Sequence, residues 1–437
     1  MSKAIFITGG EVIHPTSTEH ADVIVRDGVI EAVGTGLSAP DDAILVDARG
    51  CWVGPGLVDL HTHLREPGRE AAETIVSGSQ AAALGGYSAV VAMPNTEPAL
   101  DDIMSVSYVI TKSAAAVVDV AIAGAITVNR AGHALAPMAE LAAAGIRIFT
   151  DDGNGVQNAA VMRRAMDYAR TLGVTLAQHC EDEHLAEGGV MNEGEVSARL
   201  GLLGRPAVSE DIMVERDIAL SRLTGCPVHF LHISTAASLR AIAAAKVEGL
   251  LVTCEVAPHH FTLDETSLEN YGTQFKVHPP LRTRGDRDAV RAALVTGVID
   301  AVATDHAPHA DELKELSFDE APAGMLGLEH AASLTNEALG IGENPLAFFA
   351  LLSRAPARIA QLRATDVRPL TSAHGGDVVT GEDANLVIFD PRQNYVVDRN
   401  ALASRSRNTP YDGRRLTGRA RATIVRGRLV VNNGELQ

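Results

Sequence analysis

Between residues 55 and 365 the chain alternates between short apolar runs and longer helical stretches. The apolar runs are Leu57–Leu60, Ala89–Met93, Val118–Ala123, Ile146–Phe149, Thr175–Gln178, Val228–Leu231, Leu251–Cys254 and Ile299–Ala303. A short run that is apolar at consecutive positions reads as a strand covered on both faces. Helical periodicity lies between most of them, as at Thr74–Leu84, Gln157–Leu172, Ser209–Leu223 and Thr235–Lys246. Eight βα units in about 310 residues predict an α/β fold, a (β/α)8 barrel of the TIM type with some insertions. An open doubly wound sheet is the other arrangement of such units, but no G-x-G-x-x-G follows the first run.

The two chain ends have a different character. Residues 22–33 place two β-rich runs around Asp27-Gly28, a strong hairpin signal. Residues 422–431 again place a glycine, Gly427, between two β runs, and Ala384–Phe389 reads as a further strand. The ends therefore read as two parts of one small β domain, a β-sandwich over residues 1–54 and 366–437, with the barrel of residues 55–365 inserted between them.

Active sites of such barrels lie at the C-terminal ends of the strands. After the first run stand His61, His63 and Arg65; after the second, Asn95. After the fourth stand Asp151 and Asp152; after the fifth, His179 and Glu181. After the sixth stands His232, after the seventh His259 and His260, and after the eighth Asp305, His306 and His309. A lone histidine there is ordinarily a hydrogen-bonded loop residue, and a lone aspartate the cap of the next helix. Their recurrence on six strands points instead to imidazoles and carboxylates converging on one rim. His61 and His63 are two apart, so on a strand both face one way. Imidazole nitrogen and carboxylate oxygen suit zinc without a thiolate. About six ligands exceed one tetrahedral ion and suit two ions sharing a carboxylate or a water. A carboxylate beside such a centre can pass a proton to a leaving nitrogen. Arg65 and Asn95 suit an anion, because guanidinium pairs well with carboxylate. Together these parts point to hydrolysis of an amide-type bond in a small anionic molecule.

Composition removes other classes. A formal charge of −18 argues against nucleic acid or an anionic membrane surface as partner. No run reaches the ~18–20 apolar residues of a spanning helix. The four cysteines are widely spread without a C-x-x-C pair, which favours free thiols in a reducing compartment. With no signal-peptide pattern at the N-terminus, the expectation is a cytoplasmic protein.

Four stretches carry a resemblance. Residues 59–68 (Asp59-Leu60-His61-Thr62-His63-Leu64-Arg65-Glu66-Pro67-Gly68), 93–96 (Met93-Pro94-Asn95-Thr96), 303–309 (Ala303-Thr304-Asp305-His306-Ala307-Pro308-His309) and 406–411 (Ser406-Arg407-Asn408-Thr409-Pro410-Tyr411) resemble dihydroorotases of the amidohydrolase superfamily. That resemblance implies a zinc-dependent cyclic amidohydrolase. Its reaction interconverts N-carbamoyl-L-aspartate and L-dihydroorotate in pyrimidine biosynthesis. It implies two Zn2+ per subunit, the first held by His61, His63 and Asp305 and the second by His179 and His232, with Asp152 bridging them. It makes Asp305 the catalytic general base and acid. It assigns the substrate carboxylate to Arg65, Asn95 and His309, with His63 beside them, and a substrate-touching loop to Ala323 and Gly324.

Many members of the superfamily bridge their metals with a carboxylated lysine. Here Asp151 and Asp152 occupy the strand-4 position, which resembles the bacterial class I branch and weighs against a hydantoinase- or allantoinase-like reading. His278 stands where that branch usually has Asn, and it can still donate a hydrogen bond to substrate. The acidic segment 310–324 reads as a cover over the rim, because long loops on barrel enzymes often act as lids. The family also contains chains that have lost metal ligands and serve only as structural partners of aspartate transcarbamoylase. A transcarbamoylase partner and a homodimer are compatible with this sequence.

Overall fold

In the computed structural model, which describes residues 3–363, 370 and 372–437, eight parallel strands follow one another in chain order round a single sheet. They are β1 (Leu57–Thr62), β2 (Tyr87–Ala92), β3 (Asp119–Gly124), β4 (Ile148–Phe149), β5 (Thr175–Gln178), β6 (Val228–Phe230), β7 (Val252–Val256) and β8 (Ala301–Val302). A parallel bridge between Thr62 and His306 links the first strand to the segment after the last. The ring is thereby closed into a barrel. Helices Ile75–Leu84, Ala159–Leu172, Val208–Thr224 and Ala236–Val247 fall within two residues of the expected ones. Their starts are fixed by caps: Thr74, Asn158 and Thr235 each accept a backbone N–H of the first turn.

β7 departs from expectation in an instructive way. The apolar run ends at Cys254, but the strand continues through Glu255 to Val256. A charge normally ends a buried strand; here the barrel interior supplies partners for it. Alternate strand residues pack outward beneath the helices, among them Phe149, Leu176, Phe230 and Cys254. The other set forms a separate cluster dominated by small side chains, including Ala89, Ala121, Ala123, Ala177, Ala301 and Ala303. Small side chains inside the barrel leave room for buried Asp59, His229 and Glu255.

The chain ends form one continuous mixed sheet of nine strands. Strand Ile5–Ile13 is its pivot. It pairs antiparallel with Thr18–Arg26, and parallel with Ile44–Asp47 along its first half and with Trp52–Pro55 along its second. Trp52–Pro55 then pairs antiparallel with Leu386–Val396, with Val53 opposite Ile388, and so joins the two ends of the chain. Asp27 and Gly28 form the expected two-residue hairpin turn between Arg26 and Val29, both with positive φ (49° and 91°). Ile5, Val23, Val46, Val53, Ile388 and Ile424 belong to a core of this sheet's own. The expected boundary at 365/366 lies outside the described residues.

Candidate metal centre and substrate pocket

Five strand ends bring His61, His63, Asp152, His179, His232 and Asp305 to one rim, all buried. The two oxygens of Asp152 face two different groups. Oδ2 lies 3.4 Å from His61 Nε2 and 3.6 Å from His63 Nε2. Oδ1 lies 3.6 Å from His179 Nδ1 and 3.5 Å from His232 Nε2. Asp305 Oδ1 completes the first group, 3.1 Å from His63 Nε2 and 3.6 Å from His61 Nε2. In the second group His179 Nδ1 and His232 Nε2 are 3.0 Å apart. Ligand bonds of 2.0–2.1 Å at a tetrahedral angle set neighbouring donor atoms about 3.3 Å apart. The measured spacings are therefore those of donors around an ion. His61 Nε2 is buried without a hydrogen-bond partner; the donors of His61, His63 and Asp152 all lie within 4.8 Å of one another, and so do those of Asp152, His179 and His232. The residues fit a divalent metal.

Burial by itself would raise the Asp152 and Asp305 carboxyls. The imidazoles around them, His61 first for Asp152 and His63 first for Asp305, outweigh it and hold both below the usual carboxylate range. Both are acceptors only. Partners on the far nitrogens orient the rings. His61 Nδ1 is 2.9 Å from Glu255 Oε1, and His63 Nδ1 is 2.8 Å from Asn95 Oδ1. His179 Nε2 is 3.3 Å from Glu181 Oε2, which also accepts from Arg205 Nη1 at 2.9 Å. Such contacts fix the tautomer and turn the near nitrogen toward the metal position. Asn95 also donates from Nδ2 to Asp152 Oδ2 at 3.4 Å, so it braces the ligands as well as lining the pocket. Arg65, His232 and Asp305 have positive φ (60°, 32° and 47°), a costly backbone state for these residues that concentrates at functional sites.

Other rim candidates do not join these groups. Asp151 Oδ1 accepts Ile126 N at 2.9 Å and Thr127 N at 3.0 Å, tying down the loop after β3. His306 Nε2 is 3.3 Å from Glu73 Oε2, and its Nδ1 accepts Gly327 N at 3.2 Å. Glu181 supports His179. His259 and His260 are buried outside both groups; burial pushes His259 down to about 4 and His260 well below its ordinary value.

A cavity of about 280 Å3 is lined by His63, Asp152, His179, His232 and Asp305 and also by Arg65, Asn95, His278, His309, Ala323 and Gly324. Arg65 is 7% exposed, not a surface ion-pair residue. Its Nε donates to Pro308 O at 3.0 Å and its Nη2 is 3.5 Å from His309 Nε2. Burial, then the neighbouring Arg69 charge, lowers it to about 10, so it remains a cation at neutral pH. Burial, then the Arg65 charge, pushes His309 down to about 2, and burial pushes His278 to about 3. Both rings are neutral donor–acceptors. Gly324 has φ +137°, and a Cβ there would sit 2.7 Å from the Ala307 Cβ and 2.8 Å from His309 Nε2. Only glycine fits this approach.

Sequence reasoning missed several supports. Arg69 lines the cavity as a second cation. Asn408 Oδ1 accepts His309 N at 3.2 Å, while its Nδ2 donates to Ala307 O at 3.0 Å and Gly324 O at 3.1 Å. The segment 310–324 is anchored by two lysines. Lys314 Nζ donates to Pro322 O at 2.8 Å and Gly324 O at 3.1 Å, and Lys276 Nζ to Phe318 O at 2.7 Å and Asp319 O at 3.1 Å. The one available signal for Glu255 was a carboxylate continuing an otherwise buried strand.

Known proteins resemble this chain in sequence and in fold. A family model described as "Dihydro-orotase-like" matches residues 50–238. A dihydroorotase of Pelotomaculum thermopropionicum is 45% identical over 433 residues, spanning 98% of this chain and 99% of the relative. A dihydroorotase of Geotalea daltonii is 43% identical over 429 residues, spanning 98% and 99%. Among solved structures, a D-hydantoinase (dihydropyrimidinase) from Thermus sp. superposes with a TM-score of 0.81 at 26% identity, over 99% of this chain and 96% of that one.

Proposed function

The chain belongs to the dihydroorotase family, and from that premise we propose how its rim residues divide the family's chemistry. The protein is an enzyme, a hydrolase of cyclic amides, and its reaction is the reversible conversion of N-carbamoyl-L-aspartate to L-dihydroorotate in pyrimidine biosynthesis. One observation carries the assignment of roles: Asp152 turns one oxygen to His61 and His63 and the other to His179 and His232.

His61, His63 and Asp305 would hold a first zinc and His179 and His232 a second, with Asp152 offering one oxygen to each group. Ions bound there would supply Lewis acidity toward the ring amide carbonyl and lower the pKa of the attacking water. Arg65, Asn95 and His309 grip the substrate carboxylate, Ala323 and Gly324 meet the substrate with their backbone, and His278 offers it a neutral ring. Asp305 is ionised and faces the cavity. In the hydrolytic direction it takes a proton from the attacking water and returns it to the ring nitrogen as the amide C–N bond breaks. In cyclisation the same carboxylate takes the proton from the carbamoyl nitrogen as that bond forms and gives it to the carboxyl oxygen, which leaves as water when its C–O bond breaks.

The two units are a small β domain over 1–54 and 366–437 and the barrel over 55–365. Among the described residues no helix is long and apolar enough to cross a membrane, and all four cysteines are buried and unpaired; a cytoplasmic setting agrees with both. A homodimer, with or without a transcarbamoylase, is the assembly this reading allows. No lysine lines the cavity among the described residues, which favours an Asp152 bridge over a carboxylated lysine. The test is dihydroorotate hydrolysis on metal-quantified protein, with and without chelator. Activity that falls on chelation, returns with zinc and exceeds activity on hydantoins supports the reading. Full activity without metal, or a preference for hydantoins, overturns it.

A further inference from the structure

Glu255 belongs to neither ligand group, yet it is fully buried beside one of them. It stands in β7, and its two oxygens are held by two rings. Oε1 is 2.9 Å from His61 Nδ1 and Oε2 is 3.0 Å from His229 Nε2. His229 Nδ1 in turn is 2.8 Å from Thr253 Oγ1. The chain Thr253–His229–Glu255–His61 thus runs through the barrel interior and ends on the face of His61 opposite Asp152.

The four ring ligands differ sharply in this respect. His63 rests on the neutral amide of Asn95. His179 rests on Glu181, but the Arg205 guanidinium shares the same oxygen. His232 Nδ1 is buried without a hydrogen-bond partner. Among the described residues Glu255 forms ion pairs only with His61 and His229, so no guanidinium or ammonium dilutes its charge. A carboxylate on the far nitrogen of a ligating histidine fixes the tautomer, orients the ring and raises its basicity.

Resting on the two-ion reading above, we propose that Glu255 is the positioning residue of the first metal position: it locks the proton of His61 on Nδ1 and makes His61 the strongest donor of the four rings. His229 is its clamp, holding the second oxygen so that the carboxylate plane faces His61.

The test is titration of the metal-free protein with Co2+, following heat and visible absorbance. The parent is expected to bind two equivalents. Glu255→Gln preserves shape and one acceptor oxygen but removes the charge. It should weaken one equivalent about 10- to 100-fold, change that equivalent's absorbance, and leave the other as in the parent. Glu255→Asp, which restores the charge, should recover part of the affinity. A Glu255→Gln protein that binds both equivalents with the parent's affinity and spectrum overturns the inference and leaves the two-ion reading standing. A parent that binds a single equivalent breaks the two-ion reading, and the same variant then decides the role of Glu255 on that one ion. Histidine 15N resonances of the zinc-loaded parent decide the matter even if no variant folds. A His61 proton on Nδ1 supports the inference, and one on Nε2 overturns it.

Discussion

The residues proposed to hold metal, the metal end of the site, stand at the C-terminal ends of five strands, whereas those proposed to hold the substrate anion, its anion end, stand on loops. The ligands His61, His63, Asp152, His179, His232 and Asp305 follow β1, β4, β5, β6 and β8, whose order round the barrel is their order in sequence. The anion end joins the loops of Arg65 and His309 to Ala323–Gly324 and, behind them, Asn408. Strand ends are rigid and repeat around a barrel, so they suit ligands that must converge within a few tenths of an ångström. Loops can be exchanged without disturbing the barrel, so they suit the contacts that choose a substrate. The difference predicts that damage at one end leaves the other intact.

The largest expected effect is at the metal end. Asp152→Ala removes the bridge and should lower kcat by about 10²–10³-fold or more, with metal content falling below that of the parent. Normal turnover at full metal content in that variant would remove the bridge from the mechanism. At the anion end Arg65→Met should leave metal content unchanged and raise KM, because a lost charge-assisted hydrogen bond is worth ~1.5–3 kcal/mol, about 10- to 150-fold. Parent-like affinity for dihydroorotate would place the carboxylate elsewhere. Asn408→Ala removes the partner of the Ala307 carbonyl and of the His309 N–H and leaves the Gly324 carbonyl to Lys314 alone. We expect a stability loss of about 1–3 kcal/mol, a higher KM and unchanged metal, measured by thermal unfolding and metal analysis. Loss of metal in Asn408→Ala would show that the two ends are not separable.

Smaller effects sharpen the comparison. Segment 310–324 should exchange its amide hydrogens faster than the barrel strands in the free enzyme and slow down with ligand bound. Equal exchange in both states would make it an ordinary surface loop pinned by Lys276 and Lys314. The contribution of Arg65 to ligand affinity, read as the ratio of parent to Arg65→Met, should be flat from about pH 6 to 9. His309 and His278, at about 2 and about 3, are neutral throughout that window, and Arg65, at about 10, loses its charge only above it. A step in the ratio near pH 6 to 7 would mean that a ring at this end titrates and carries part of the binding.

The same division explains what could be read before the structure. Barrel strands announce themselves as buried apolar runs, and Asp27-Gly28 sets its hairpin by local chemistry alone. The His-x-His spacing of His61 and His63 survives folding because strand periodicity is fixed. Asp151 and Asp152 could not be told apart from spacing, since a cap and a ligand are both carboxylates after a strand; only the N–H groups of Ile126 and Thr127 separate them. His306, His259 and His260 looked like ligands for the same reason. Glu255 lies just beyond the apolar run Leu251–Cys254, and its partners lie 194 and 26 residues away in sequence. Asn408 acts by closing loops some 84 to 101 residues distant. Contacts of that range are set by topology, which periodicity does not encode.

The most direct measurement is anomalous diffraction from a crystal of the zinc-loaded enzyme. Two ions about 3.5–4 Å apart are expected, one contacting His61 and His63, the other His179 and His232, with one oxygen of Asp152 on each. A single ion, or a pair whose bridge does not include Asp152, would contradict it.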